Sequence, residues 1–291
     1  MLSAFSLTRF YVFMPVVVGI AFGQTINGTC GVPAIPPKSG QSRVKGGQDA
    51  IAGSWPWQVR LGYRSGNGVI WSCGGSILSD IYIITAAHCL ENGLNRQFVV
   101  RVGDHDQWQV EASEKVHSVL RYLVHPSYGG QASNYANDIA ILRLSTPIVY
   151  KAQISPACIP PAMEEPTHGA SCYVTGWGKV GPNSGTPAKL QQGSVQIIGR
   201  QVCNTAQYWG NLRTSQVCAG SPTGSTDACS GDSGGPLVCK SGSSNKWILQ
   251  GLVSFGPLSG CGIQKKPAVY TKVSHFHSWI KATTGNAALS A

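Results

Sequence analysis

Three short stretches of the sequence contain residues whose types and order allow nucleophilic catalysis. The segment DACSGDSGGP, residues 227–236, contains Ser233 among three glycines. A serine hydroxyl is a weak nucleophile until a base removes its proton, and the base needs a group that orients it. His88 in TAAHC is a candidate base. Asp138 in NDIAIL is a candidate orienting group, because the apolar strand that follows would bury its carboxylate.

The rest of the chain predicts the β-structure that would position these groups. Of 291 residues, 36 are glycine, 17 are proline and only 12% are charged, which favours short strands and turns over long surface helices. Runs such as QFVVRVG and WILQGLVSFG alternate with turn residues, a pattern typical of all-β barrels or sandwiches. One helix is predicted near the C-terminus, with Ser274 as its N-cap and an apolar face formed by Phe276, Trp279 and Ile280.

The N-terminal residues predict a secreted, extracellular protein. Residues 1–23 have the features of a signal peptide, with Arg9 near the start and small residues at the end. The apolar run over residues 10–22 is about 13 residues long, whereas a membrane-spanning helix needs about 20. Asn27 begins an Asn-Gly-Thr sequon, which predicts an N-glycosylation site beside Cys30.

The cysteine content fits the same location. The chain has ten cysteines and no C-x-x-C pair. In a secreted chain this predicts five disulfides and argues against a zinc site. The spacings alone leave the pairing open.

The net charge does not indicate a nucleic-acid partner. The formal charge is +10, which could suit nucleic acid or heparin. However, the 22 lysines and arginines are scattered and form no basic arm or recognised motif. No later segment is long and apolar enough to span a bilayer. We therefore expect neither nucleic acid nor a membrane as a partner.

The motifs TAAHC, NDIAIL and GDSGGP, in this order, resemble those of the chymotrypsin-type serine endopeptidases. The resemblance extends from Cys30 to the C-terminus. It implies two six-stranded antiparallel Greek-key β-barrels with a C-terminal α-helix, formed by a protease domain over residues 44–291. It also implies that Ser233 attacks the substrate carbonyl, that His88 is the general base and acid, and that Asp138 orients His88. The backbone N–H groups of Gly231 and Ser233 would form the oxyanion hole.

The resemblance also implies an inactive precursor. Residues 24–43 would be an activation propeptide, and cleavage after Arg43 would free the α-amine of Val44 to pair with Asp232. The leader CGVPAI resembles that of chymotrypsinogens, whose leader cysteine stays bonded to the protease domain. The disulfides implied in this way are Cys30–Cys158, Cys73–Cys89, Cys172–Cys239, Cys203–Cys218 and Cys229–Cys261.

Asp227 predicts the substrate side chain after which the peptide bond is cut. The residue six positions before the serine lies at the floor of the specificity pocket in this family, and aspartate there is typical of trypsin-like members. A buried carboxylate without a partner is costly, so such a pocket favours substrates with Arg or Lys. The other residues assigned to the substrate-binding site are Ala228, Ser254, Gly256 and Ala268. Ala228 favours Arg over Lys, and Ala268 adds a methyl group where trypsin-like enzymes usually have glycine.

Alternatives to this specificity remain. A displaced Asp227 would leave a chymotrypsin- or elastase-like preference for apolar residues, which the leader and the SFGPLSGCG loop resemble. A protease-fold binding protein without catalysis is a further alternative, although such proteins usually lack part of the catalytic set. The expected partners are protein or peptide substrates, an activating protease or the enzyme itself, and protein inhibitors, with the enzyme a monomer.

No cofactor is expected to be required, but a structural calcium ion is a candidate. Asp104 and Glu114 are ten residues apart in GDHDQWQVEASEK, as are the carboxylate ligands of the calcium loop in trypsins and elastases. Backbone carbonyls between them would supply further oxygens. A solvated acidic loop is the alternative.

The residues that follow Arg43 differ from the usual start of the protease domain in this family. The family usually begins Ile-Val-Gly-Gly after cleavage, whereas this chain has Val44-Lys45-Gly46-Gly47. A trypsin-like activator can also cut after Lys45, but the resulting Gly46 terminus has no side chain to fill the receiving pocket. N-terminal sequencing of the active enzyme should therefore find Val44, and a species beginning at Gly46 should be inactive. Activity in a pure Gly46 species would contradict this prediction.

Overall fold

The computed structural model describes residues 29–38, 47–91, 93, 95–181, 184–221 and 223–288. The predicted signal peptide, the sequon at Asn27 and the activation site at Arg43 and Val44 lie outside these residues. No helix in the described part of the chain is long and apolar enough to cross a membrane.

The first barrel is a closed ring of six antiparallel strands. In spatial order the ring runs β2-β3-β4-β7-β6-β5. Its strands are β2 (Gln58–Ser65), β3 (Gly68–Ile77), β4 (Tyr82–Thr85), β5 (Phe98–Val102), β6 (Lys115–Val124) and β7 (Ala140–Leu144).

The second barrel is built in the same way. Its sheet runs β9-β10-β13-β12-β11-β8 and closes through a β8–β9 pairing, while the short strand β1 (Gln48–Asp49) pairs with β9 from outside the ring. The strands of the ring are β8 (Ser171–Gly176), β9 (Gln191–Ile198), β10 (Gln216–Gly220), β11 (Pro236–Lys240), β12 (Trp247–Phe255) and β13 (Ala268–Lys272).

The strand orders confirm the predicted fold class. The fourth strand of each barrel returns beside the first, giving the orders β5-β2-β3-β4 and β11-β8-β9-β10, which are Greek keys. Leu61 of β2 and Leu249 of β12 are fully buried in the same core cluster. The two barrels are therefore packed on each other through apolar side chains, and this contact fixes the cleft between them.

The C-terminal helix is present, but its predicted cap is wrong. A 3₁₀ turn over Val273–Phe276 leads into an α-helix, α2, at His277–Thr284, while α1 is the short helix Arg200–Cys203. Ser274 lies inside the turn, and its hydroxyl donates to the carbonyl of Glu164. The helix begins three residues later, at His277, and its N-cap residue is the buried Phe276, which makes no side-chain capping bond.

Five disulfides stabilise the two barrels and the leader. They are Cys30–Cys158, Cys73–Cys89, Cys172–Cys239, Cys203–Cys218 and Cys229–Cys261, the same pairs that the resemblance implies. Cys30 is buried, and the neighbouring Gly31 bonds through its N–H to Pro156 and through its carbonyl to Trp247. The described leader residues are thus attached to the protease domain by both covalent and hydrogen bonds.

Candidate active site

His88 and Asp138 meet at the end of two paired strands. His88 lies in the 3₁₀ turn Ala87–Leu90 directly after β4, and Asp138 lies just before β7, which pairs with β4. The Nδ1 atom of His88 is 2.7 Å from Oδ2 of Asp138, and the backbone N–H of His88 donates to Oδ1 at 2.9 Å. The strand pairing therefore brings together two residues that are fifty positions apart in the sequence.

Two residues of the second barrel donate hydrogen bonds to Asp138. The side chain of Asp138 is fully buried, and its Oδ2 accepts a hydrogen bond of 2.5 Å from the Ser254 hydroxyl. Thr271 donates to the backbone carbonyl of Asp138 at 2.7 Å. Ser254 was assigned to substrate binding from the sequence, but the structure shows its hydroxyl turned towards Asp138 and only 5% of the residue exposed.

The loop before Asp138 has an unusual backbone. Asn134, Tyr135 and Asn137 have φ angles of 54°, 52° and 58°, in the left-handed region that non-glycine residues rarely occupy. Asparagine tolerates this conformation better than most residues, but tyrosine does not. The Tyr135 ring is held by an edge contact with His88 at 5.8 Å and by stacking on Phe255 at 5.6 Å.

Ser233 is joined to the same corner of the first barrel. Its carbonyl accepts a hydrogen bond of 2.7 Å from the N–H of Gly74, and Cys73 next to Gly74 is bonded to Cys89 next to His88. A Cβ atom on Gly234 would lie 2.2 Å from the Thr85 hydroxyl, so only glycine fits this close approach of the two barrels. The structure thus brings the serine loop against the turn that holds His88.

Asp232 is buried with backbone partners only. Its carboxylate accepts hydrogen bonds from the N–H groups of Gly178 at 2.8 Å and Cys229 at 2.9 Å. Burial raises the pKa of Asp232 to about 6 despite these two donors. Among the described residues, no basic side chain forms an ion pair with it. The site therefore favours a positive charge beside this carboxylate.

Asp227 is better satisfied than the sequence suggested. Its carboxylate accepts three backbone hydrogen bonds, from Ala228 and Ala268 at 3.0 Å each and from Gly262 at 3.2 Å. The carboxylate therefore has amide donors, but no basic side chain among the described residues forms an ion pair with it. Burial still raises the pKa of Asp227 to about 6, because the three amide dipoles do not replace the lost hydration.

The other predicted pocket residues differ in exposure. Ala228 and Ala268 are 6% and 2% exposed, and both methyl groups pack in the core of the second barrel. Gly256, in contrast, has open space where a side chain would be. The backbone at Gly256 is therefore accessible, whereas the side chains of the two alanines are covered by core packing.

Sequence analysis missed three aromatic side chains near this site. Tyr135 contacts His88 and stacks on Phe255, and the ring of Trp209 lies 5.3 Å from that of Phe255. Together Tyr135, Phe255 and Trp209 form an aromatic wall. The position of Tyr135 three residues before Asp138 was a usable signal, but nothing local pointed to Trp209.

The residues of the predicted calcium loop do not fit a calcium ion. Asp104 is buried, and its Oδ2 lies 3.3 Å from a guanidinium nitrogen of Arg60 and 3.6 Å from one of Arg101. Arg101 also pairs with Glu114 at 3.5 Å. A calcium ion between the two carboxylates would face the positive charge of Arg101, which already pairs with both. The loop is held by internal ion pairs.

Among the described residues, the side chains with metal-ligand spacing outside this loop cannot bind a metal. In the part of the chain that the structure covers, one group of three side chains has metal-ligand spacing, namely Cys73, His88 and Cys89. Cys73 and Cys89 form a disulfide with each other, so neither sulfur is a thiolate that could bind a metal.

Comparison with known proteins assigns the chain to a family. A model of the trypsin family matches residues 44–280. This chain belongs to the trypsin family of serine endopeptidases. It is 39% identical over 255 residues to chymotrypsin-C of Rattus norvegicus, a match that covers 86% of this chain and 92% of that protein. Trypsin-family proteases need no cofactor for catalysis.

A second relative in the trypsin family is much longer. The chain is 38% identical over 257 residues to ovochymase of Halocynthia roretzi. This match covers 87% of the chain but only 16% of ovochymase, so the chain spans a small part of that relative.

The His88–Asp138 geometry predicts how His88 titrates. Burial lowers the pKa of His88, but the hydrogen bond and charge of Asp138 raise it by more, so that its pKa lies above the usual 6.5. In Asp138→Asn, burial should dominate and the pKa should fall below 6.5. NMR titration of the His88 ring C–H signals measures this change. The control Glu91→Gln should lower the pKa less, because Glu91 makes the smallest contribution. An unchanged pKa in Asp138→Asn would show that the two residues are not in contact.

Proposed function

We propose that the protein is secreted as an inactive precursor and, once cleaved after Arg43, hydrolyses peptide bonds after Arg and, less well, after Lys. The observation that carries this proposal is the partly buried carboxylate of Asp227, which has amide donors but no cation beside it among the described residues. The five disulfides support an extracellular location. Protein substrates follow from the family.

Ser233, His88 and Asp138 are the proposed catalytic residues. Because Nδ1 of His88 lies 2.7 Å from the carboxylate, the neutral imidazole carries its proton there and leaves Nε2 free to accept one. As the Ser233 oxygen bonds to the substrate carbonyl carbon, its proton passes to Nε2, and His88 then gives this proton to the leaving amine. Water hydrolyses the acyl-enzyme by the same steps. Asp138 stabilises the imidazolium in each half-reaction.

The N–H groups of Gly231 and Ser233 are the proposed oxyanion hole. Neither of them donates a hydrogen bond to a described residue, whereas the N–H of Asp232 between them bonds to Cys229. Gly231 has a φ of 102°, which a side chain would strain. Two free donors on one exposed turn can stabilise the negative charge that develops on the carbonyl oxygen. One such donor is typically worth about 2.7 to 4 kcal/mol.

Activation is proposed to depend on Asp232. An α-amine has a pKa near 8, so a freed Val44 terminus would be mostly charged at neutral pH. The carboxylate of Asp232 is suited to pair with this charged amine. It is buried, its pKa is raised, and it has no basic partner among the described residues. The uncut chain has no amine at this position. Since Arg43 fits the proposed specificity, the enzyme itself is a candidate activator.

A second specificity is favoured by one observation. The carboxylate of Asp227 already accepts three hydrogen bonds, and a relative that shares 39% of its aligned residues is named chymotrypsin-C. If those bonds hold the carboxylate away from the substrate, apolar side chains would be preferred instead. The pocket charge favours the first proposal, because a buried anion attracts a substrate cation whether or not its lone pairs are occupied.

Substrate preference tests the proposed specificity. After activation with immobilised trypsin, peptide substrates ending in Arg, Lys, Phe, Leu and Ala should be cut in the order Arg, Lys, then the others. Asp227→Asn should lower kcat/KM for Arg substrates about 10²- to 10⁴-fold, because removing one partner of a desolvated ion pair costs about 3–5 kcal/mol. The control Asp80→Asn makes the same change at an exposed position and should keep Arg cleavage. Stronger cleavage after Phe or Leu by the unaltered enzyme would contradict the proposal.

A further inference from the structure

Two neighbouring grooves lie on the outer wall of the first barrel, away from the active site. The first has a volume of about 530 Å³ and is lined by Arg64, Arg96 and Arg121. The second has a volume of about 250 Å³ and is lined by Arg121 and Arg143. They share Arg121 and Tyr122, and together we call them the arginine groove. None of the proposed catalytic residues lines either part.

The strand register places two of these arginines in an unfavourable position. Arg121 of β6 and Arg143 of β7 are direct cross-strand partners. Like charges opposite each other in a sheet destabilise it. No acidic side chain in the described part of the chain forms an ion pair with Arg64, Arg96, Arg121 or Arg143. The barrel wall therefore carries a concentrated positive charge that no ion pair among the described residues neutralises.

The groove also exposes apolar side chains. Leu120 and Leu123 of β6 are 58% and 48% exposed, on the strand that carries Arg121. They line the first and the second part of the groove respectively. The guanidinium of Arg96 lies 4.1 Å from the ring centre of Tyr63, which holds this cation in place. Exposed leucines between arginines indicate a ligand that is both apolar and negatively charged.

We propose that the arginine groove binds an acidic peptide segment in which carboxylates alternate with apolar side chains. The planar guanidinium group matches a carboxylate through paired hydrogen bonds, and leucine side chains gain free energy when a ligand covers them. A sulfated polysaccharide would satisfy the charges but would leave Leu120 and Leu123 in water. The groove would thus be a docking surface for a protein with an acidic segment, separate from the residues that cut the peptide bond.

Binding of a defined peptide tests the proposal. The secreted chain carrying Ser233→Ala avoids cleavage, and the probe is a fluorescent ten-residue peptide of alternating Glu and Leu. Fluorescence anisotropy should show binding that weakens as the salt concentration rises, because screening reduces attraction between exposed charges. The same peptide with Gln in place of Glu should bind at least tenfold more weakly.

A matched pair of variants locates the site. Arg121→Gln with Arg143→Gln should weaken peptide binding at least tenfold without lowering Tm, because the change removes a like-charge pair. Arg200→Gln with Lys240→Gln removes the same charge from exposed positions of the second barrel, and affinity should stay within twofold. No peptide binding, equal loss in both variants, or tighter binding of a sulfated oligosaccharide than of the peptide would overturn the proposal.

Discussion

The active site depends on one buried carboxylate between the two barrels. Asp138 is fully buried, and a buried charge without partners costs several kcal/mol. Three hydrogen bonds offset this cost, two from His88 and one from Ser254 on the second barrel. Because the donors come from both barrels, the position of His88 is coupled to the packing between them. The apolar core shared by the two barrels therefore helps to position His88, together with the hydrogen bonds.

Three aspartates near the site, two of them buried and Asp227 partly buried, differ in the groups that pair with their carboxylates. Asp138 has an imidazole beside it, whereas Asp227 and Asp232 have backbone N–H donors and no cation among the described residues. Burial raises the pKa of both to about 6. In the proposed function, a substrate side chain neutralises Asp227 and a freed α-amine neutralises Asp232. Latency and specificity would then follow from the same physical cause, an anion that is buried before its partner arrives.

The sequence predicted the fold class and the order of the candidate residues, because alternating strands and three short motifs are local signals. It failed where distant segments decide the outcome. Arg60 and Arg101 both lie beside Asp104 because strands β2 and β5 pair, and residue spacing does not reveal this pairing. The contact of the Ser254 hydroxyl with Asp138 could not be predicted for the same reason, since it joins residues 116 positions apart.

The measurement that most directly tests the central claim is covalent labelling of the activated enzyme with a fluorophosphonate, followed by peptide mapping. A nucleophile activated by His88, with His88 oriented by Asp138, predicts a single modified residue, Ser233. It also predicts labelling about 10⁴-fold slower in Asp138→Asn, the loss expected when the imidazole has the wrong tautomer. A label on another serine, or an unchanged rate in Asp138→Asn, would contradict the account.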